Sequence, residues 1–100
     1  MTAQEFFDTL PERVDPAKTA GMNNTYVFDV EGAGQWTVAV DDGAVSVTEG
    51  TADADCTISA SEDTLVKIAK GEANATTAYM TGKLKIQGDM GAALKLQKLF

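Results

Sequence analysis

Apolar residues fall on a single parity through five separate stretches of this chain, and that regularity limits the fold more than any other feature. Tyr26, Phe28 and Val30 alternate with Val27 and Asp29, and Trp36, Val38 and Val40 alternate with Thr37 and Ala39. Val45 and Val47 are set among Ala44, Ser46 and Thr48, and the pattern returns at Cys56, Ile58 and Ala60 and again at Leu84 and Ile86. Period-two alternation marks strands with one face buried and one face wet. Helices must then cover that one face. The expected fold class is α+β: a two-layer, five-stranded, mostly antiparallel sheet with helices on one face, not a doubly wound sheet. The space between the layers is either a solid core or an apolar pocket, and alternation reads the same for both.

The punctuation between strands is consistent with this reading. Gly32-Ala33-Gly34 and Asp42-Gly43 are turn signals, so the first three strands form an antiparallel meander. Thr2 and Glu5 have capping-box spacing ahead of Phe6, Phe7 and Leu10, which predicts a helix that stops near Pro11. Asp15-Pro16 starts a second helix that Gly21 ends. Ser61-Glu62-Asp63-Thr64 caps a third carrying Leu65, Ile68 and Ala69, closed by Lys70-Gly71. A short helix follows from Ala75 to Met80, and Asp89 caps a last one bearing Met90, Ala93, Leu94, Leu96, Leu99 and Phe100. No repeat or linker interrupts these elements, so residues 1–100 are expected to be one domain.

Charge and composition exclude several functions. Net charge is −7, against a nucleic-acid partner, which needs clustered Lys and Arg. Residues 1–60 carry eleven acids against Arg13 and Lys18, giving −9; residues 61–100 carry six lysines against four acids, giving +2. The chain has no histidine, which removes the usual general base and the commonest metal ligand. Cys56 has inward parity and reads as a small buried hydrophobe. Asp41-Asp42 and Asp53/Asp55 fit turn chemistry better than a calcium loop. No enzyme activity, metal or cofactor is expected. The first twenty residues form no apolar stretch and the only cysteine can close no internal disulfide, so the expected location is cytoplasmic.

Gly71-Glu72-Ala73-Asn74-Ala75-Thr76-Thr77-Ala78-Tyr79-Met80-Thr81-Gly82-Lys83-Leu84-Lys85-Ile86-Gln87-Gly88-Asp89-Met90, with Leu94-Lys95-Leu96-Gln97-Lys98-Leu99-Phe100 beyond, resembles the C-terminal signature of the SCP-2 sterol-binding family. The order of helices and strands resembles that family over nearly the whole chain. The resemblance implies an apolar tunnel between sheet and helices that takes up a fatty acid, fatty acyl-CoA, phospholipid, sterol or isoprenoid and transfers it without covalent chemistry. Leu84 and Ile86 from the fifth strand and Met90, Leu94 and Leu96 from the last helix would line or close it. Leu65, Ile68 and Met80 would come from the preceding helices, and Phe6, Leu10, Trp36, Val38 and Ile58 complete the expected tunnel lining. Asn74-Ala75 stands where many relatives have Asn-Pro, and Lys98-Leu99-Phe100 is not the Ser-Lys-Leu peroxisomal address. A free-standing, prokaryotic-type member is therefore expected. Lys83 and Lys85 share the outward parity of their strand and Lys95 and Lys98 share one side of the last helix, so transient contact with a membrane surface is expected there. The competing reading is an accessory or assembly module with a filled core, serving an enzyme of lipid or quinone metabolism.

Overall fold

The computed structural model describes residues 2–95, in the order α1 (Ala3–Arg13), α2 (Pro16–Thr19), β1 (Asn23–Glu31), β2 (Gly34–Asp41), β3 (Ala44–Glu49), β4 (Cys56–Ser61), α3 (Glu62–Ala69), α4 (Ala75–Met80), β5 (Leu84–Gly88) and α5 (Met90–Lys95). The five strands form one mixed sheet in the order β3-β2-β1-β4-β5. The first three strands are the expected meander. β4 crosses over and pairs parallel to β1, Phe28 standing in register with Ile58, and β5 then pairs antiparallel to β4. Only this parallel pair departs from an antiparallel ladder.

Parity decides burial as expected. Tyr26, Phe28, Val30, Trp36, Val38, Val40, Cys56, Ile58 and Leu84 are buried on the inward face, and Val45, Val47, Ala60 and Ile86 pack against them from nearer the edges. Val27 is the exception: it has outward parity yet is only 4% exposed. It sits on the central strand between Thr37 and Thr57, which cover it from both sides.

Local chemistry starts and stops the elements. Thr2 accepts the Glu5 amide, Asp15 the Ala17 amide and Ser61 the Thr64 amide, each satisfying a donor that the first helical turn leaves orphaned. Asp42 and Gly43 both have positive φ, the backbone of a tight two-residue hairpin, and the Asp42 carboxylate also accepts the Gly21 amide at 2.7 Å. The expectation that α1 stops near Pro11 is corrected: the helix runs through it to Arg13. Pro11 is exposed and lies in the last turn, where its ring removes one hydrogen bond at the solvent side. Val14 still donates to the Leu10 carbonyl at 3.1 Å, and Arg13 lies 5.9 Å over the Phe6 ring.

Under α1 the two layers are closed by aromatic rings. Phe7 stacks on Trp36 with centroids 4.6 Å apart and meets Phe6 at 5.1 Å and Phe28 at 5.2 Å. These are favourable offset and edge contacts, and they leave that part of the interlayer space solid.

Candidate functional site

At the other end of the sheet the layers part. Leu84 and Ile86 of β5 form the floor of an apolar cleft of about 80 Å³, walled by Ala75, Thr76 and Tyr79 of α4 and by Met90, Ala93 and Leu94 of α5. Ala75, Thr76 and Tyr79 share one side of their helix, as spacing of three and four requires. The large hydrophobic side chains exposed among the described residues all gather here: Tyr79 is 43% exposed, Met90 47% and Leu94 74% on the cleft itself, and Met80, the neighbour of Tyr79, is 79%. Exposed apolar groups cost free energy in water, so their concentration around one apolar opening marks a place where something apolar is received.

The N-terminal end of α5 is held from below. The Tyr26 hydroxyl donates to the Ala92 carbonyl at 2.6 Å and the Cys56 thiol donates to the Asp89 carbonyl at 2.9 Å. The Asp89 amide donates to the Asp55 carbonyl at 2.8 Å, and the Asp89 carboxylate accepts the Gly91 amide at 2.8 Å, so Asp89 acts as the expected cap. Asp55 in turn accepts the Thr25 amide at 2.8 Å, which gives that acid a structural task at the start of β1 and β4. Gly88 is required at this junction, because a Cβ there would clash with the Asp55 carbonyl oxygen. Burial, followed by the neighbouring Cys56, Asp55 and Asp89, raises the Tyr26 phenol far above its ordinary range. Burial first, then Asp89 and Asp55, also pushes the Cys56 thiol up. Both therefore stay protonated donors at neutral pH, and Cys56 is not a thiolate nucleophile.

Of the residues expected to line a tunnel, the fold brings Leu84, Ile86, Met90 and Leu94 together at the cleft. Phe6, Leu10, Trp36, Val38, Ile58, Leu65 and Ile68 lie instead in the closed core and do not border it. Met80 turns outward, while Leu96 and Lys98 lie outside the described residues. Lys83 and Lys85 line a groove that also holds Asp29 and Glu31, whereas Lys95 lies on α5. Residue-by-residue reading missed Tyr79, Thr76, Ala75 and Ala93 as cleft walls, and missed Tyr26 as the anchor of α5. The helical spacing in α4 contained the signal for the first three; the Tyr26 contact spans 66 residues and left none.

A one-sided sheet, helices over its inner face and an apolar cleft with an exposed apolar rim define a module that binds apolar ligands. Comparison with known proteins agrees. Residues 4–100 match the model of the SCP-2 sterol transfer family. The chain is 35% identical over 100 residues to hydroxysteroid dehydrogenase-like protein 2 of Xenopus laevis, covering 96% of this chain and 24% of that protein. It is 45% identical over 65 residues to sterol carrier protein 2 of Bos taurus, covering 64% of this chain and 12% of that protein. Among solved structures it is similar to the inverting sec-alkylsulfatase Pisa1 of Pseudomonas sp., with a TM-score of 0.85 at 27% identity over 99% of this chain and 16% of that one. The chain belongs to the SCP-2 sterol transfer family. Lipid binding and transfer is the function class that membership carries, and the domain is a non-catalytic module even where, as in the dehydrogenase-like and sulfatase proteins, it forms part of a chain with an enzyme's name. The chain spans a quarter or less of the length of these relatives.

Proposed function

We propose that the cleft between α4, α5 and β5 receives the apolar chain of a lipid and releases it again without covalent chemistry or a cofactor. The observation that carries this reading is the convergence of Tyr79, Met90 and Leu94, three of the four exposed large hydrophobics among the described residues, on one apolar opening. Transfer from water contributes about 25 cal/mol per Å² of apolar surface buried. At about 80 Å³ the closed cleft is smaller than the roughly 300–1,000 Å³ of a small-molecule site, so loading requires α5 to move away from β5. The bonds to the Asp89 and Ala92 carbonyls hold the N-terminal end of α5, and the proposed movement pivots there.

The proposed setting is the cytoplasm, with Lys83, Lys85, Lys95 and Lys98 meeting anionic membrane during loading. A free-standing carrier is the proposed form, and the mass of the native gene product tests it against a longer chain. An environment-sensitive fatty-acid probe tests the binding itself. It should bind with one-to-one stoichiometry at micromolar concentration, and Leu84→Glu or Ile86→Glu should abolish binding by placing an unpaired charge on the apolar floor. Far-UV circular dichroism verifies that each variant is folded, and Leu94→Ser, at an exposed position, serves as a second variant where the first two unfold. A folded protein that takes up no apolar probe would instead favour the accessory-module reading.

A further inference from the structure

A second concavity, larger than the apolar cleft, lies beside β4 and β5. It is a groove of about 520 Å³ lined by Asp29 and Glu31 of β1, Ser59 and Ser61 of β4, and Lys83 and Lys85 beside and on β5. The charged and hydroxyl residues have the outward parity of their strands, and Ala60, Thr64 of α3 and Gly82 complete the lining at the end of the sheet; the groove shares no lining residue with the apolar cleft. Register arranges its polar groups in rows. Asp29 stands beside Ser59, which stands beside Lys85; in the next row Glu31 stands beside Ser61, with Lys83 one residue before β5 begins. Acids therefore form one wall, hydroxyl residues the floor and lysines the other wall.

The two walls do not neutralise each other. Among the described residues the ion pair within 4.0 Å is Lys67 with Asp63, and none joins Asp29 or Glu31 to Lys83 or Lys85. Sheet geometry gives the reason: strands lie about 4.8 Å apart, so β1 and β5, with β4 between them, are about 10 Å apart. Opposite charges facing across that gap leave room for a ligand that carries both. Two lysines spaced two residues apart suit a phosphate oxyanion, and two acids at the same spacing suit one ammonium. The Ser59 side chain, half-buried on the floor, makes no hydrogen bond among the described residues and has its hydroxyl available, whereas the Ser61 hydroxyl is occupied in capping α3.

We propose that this groove binds an aminoalkyl phosphate, its ammonium toward Asp29 and Glu31 and its phosphate toward Lys83 and Lys85. The chemistry is shared by a free aminoalkyl phosphate and by the headgroup of an aminophospholipid. All four charged side chains are exposed, so each ion pair is worth up to about fivefold in affinity and binding weakens with salt.

The test is an amide NMR titration with phosphoethanolamine, with ethanolamine and inorganic phosphate as half-ligands. Saturable shifts at the Ser59 and Lys85 amides, with phosphoethanolamine at least fivefold tighter than either half-ligand, are expected. Asp29→Asn and Lys85→Gln should each reduce that affinity about fivefold while circular dichroism stays native, and Asp29→Asn should leave uptake of the fatty-acid probe unaltered. Vesicles containing phosphatidylethanolamine form the second arm: retention that Asp29→Asn loses assigns the headgroup as the source, and binding of the soluble compound alone assigns the free form. The proposal is overturned by phosphate or ethanolamine binding as tightly as the zwitterion, by variants that bind like the parent, or by the absence of saturable shifts.

Discussion

The half of the molecule under α1 and the half under α4 and α5 share one sheet and use it differently. Under α1 the rings of Phe28 on β1 and Trp36 on β2 meet Phe7, which stacks on Trp36. Under α4 and α5 the facing residues are aliphatic or small, Leu84 and Ile86 against Ala75 and Ala93, and the layers leave a cleft. Large flat rings interdigitate into a solid, whereas small residues at Ala75, Ala92 and Ala93 do not fill the corresponding volume. The contrast teaches a division of labour. One half supplies aromatic packing between the layers, and the other is where the proposed function places the opening.

The largest effect should come from attacking the solid half. Phe7→Ala removes the ring that touches Phe6, Phe28 and Trp36, and should cost about 3–5 kcal/mol in urea unfolding. A loss below about 1 kcal/mol would mean that the two halves are equally loose and would break the contrast. Tyr26→Phe acts at the boundary between them. It leaves the buried Ala92 carbonyl without its donor and should cost about 1–2 kcal/mol, with faster amide exchange in α5 and unchanged exchange in β2. Equal acceleration in both elements would show that α5 is not separately anchored. Leu94→Ser, on the rim, should change stability by less than about 0.5 kcal/mol yet weaken fatty-acid probe binding about tenfold.

The smallest effect concerns pH. Cys56 and Tyr26 have ordinary values of 9.0 and 10.0, and both are raised in the folded state. The unfolded chain therefore loses these protons first, so their contribution is fully present below pH 9 and declines as pH rises beyond it. Stability measured between pH 8 and 11 should fall in that direction, and Cys56→Ala should remove the part of the decline that begins near 9. A flat profile would show that neither donor is held by the fold.

Much of the fold was legible because burial on one face imposes a period that survives in the residues themselves. Tyr26, Phe28, Trp36, Val38, Ile58 and Leu84 were assigned inward by parity alone, and they are inward. Capping was equally legible at Thr2, Ser61 and Asp89, since a side-chain oxygen reaching an amide two or three residues on is a local event. Pro11 was misjudged because a proline's effect depends on whether the lost hydrogen bond falls inside the helix or at its last turn. The cleft was half legible. Leu84, Ile86, Met90 and Leu94 share it, but parity gave Trp36 and Ile58 the same standing, and only packing separates a wall from a core.

Strands, the face they bury, caps and turns each follow from residues within a few positions of one another. Tertiary structure alone decided that β4 lies parallel to β1, that the Tyr26 hydroxyl reaches the Ala92 carbonyl, and that Lys85 faces Asp29 across Ser59. The physical reason is the same in all three cases. Their partners are brought together by chain closure over tens of residues, and which distant surfaces meet is settled by the packing of the whole domain, where the local period of the sequence is silent.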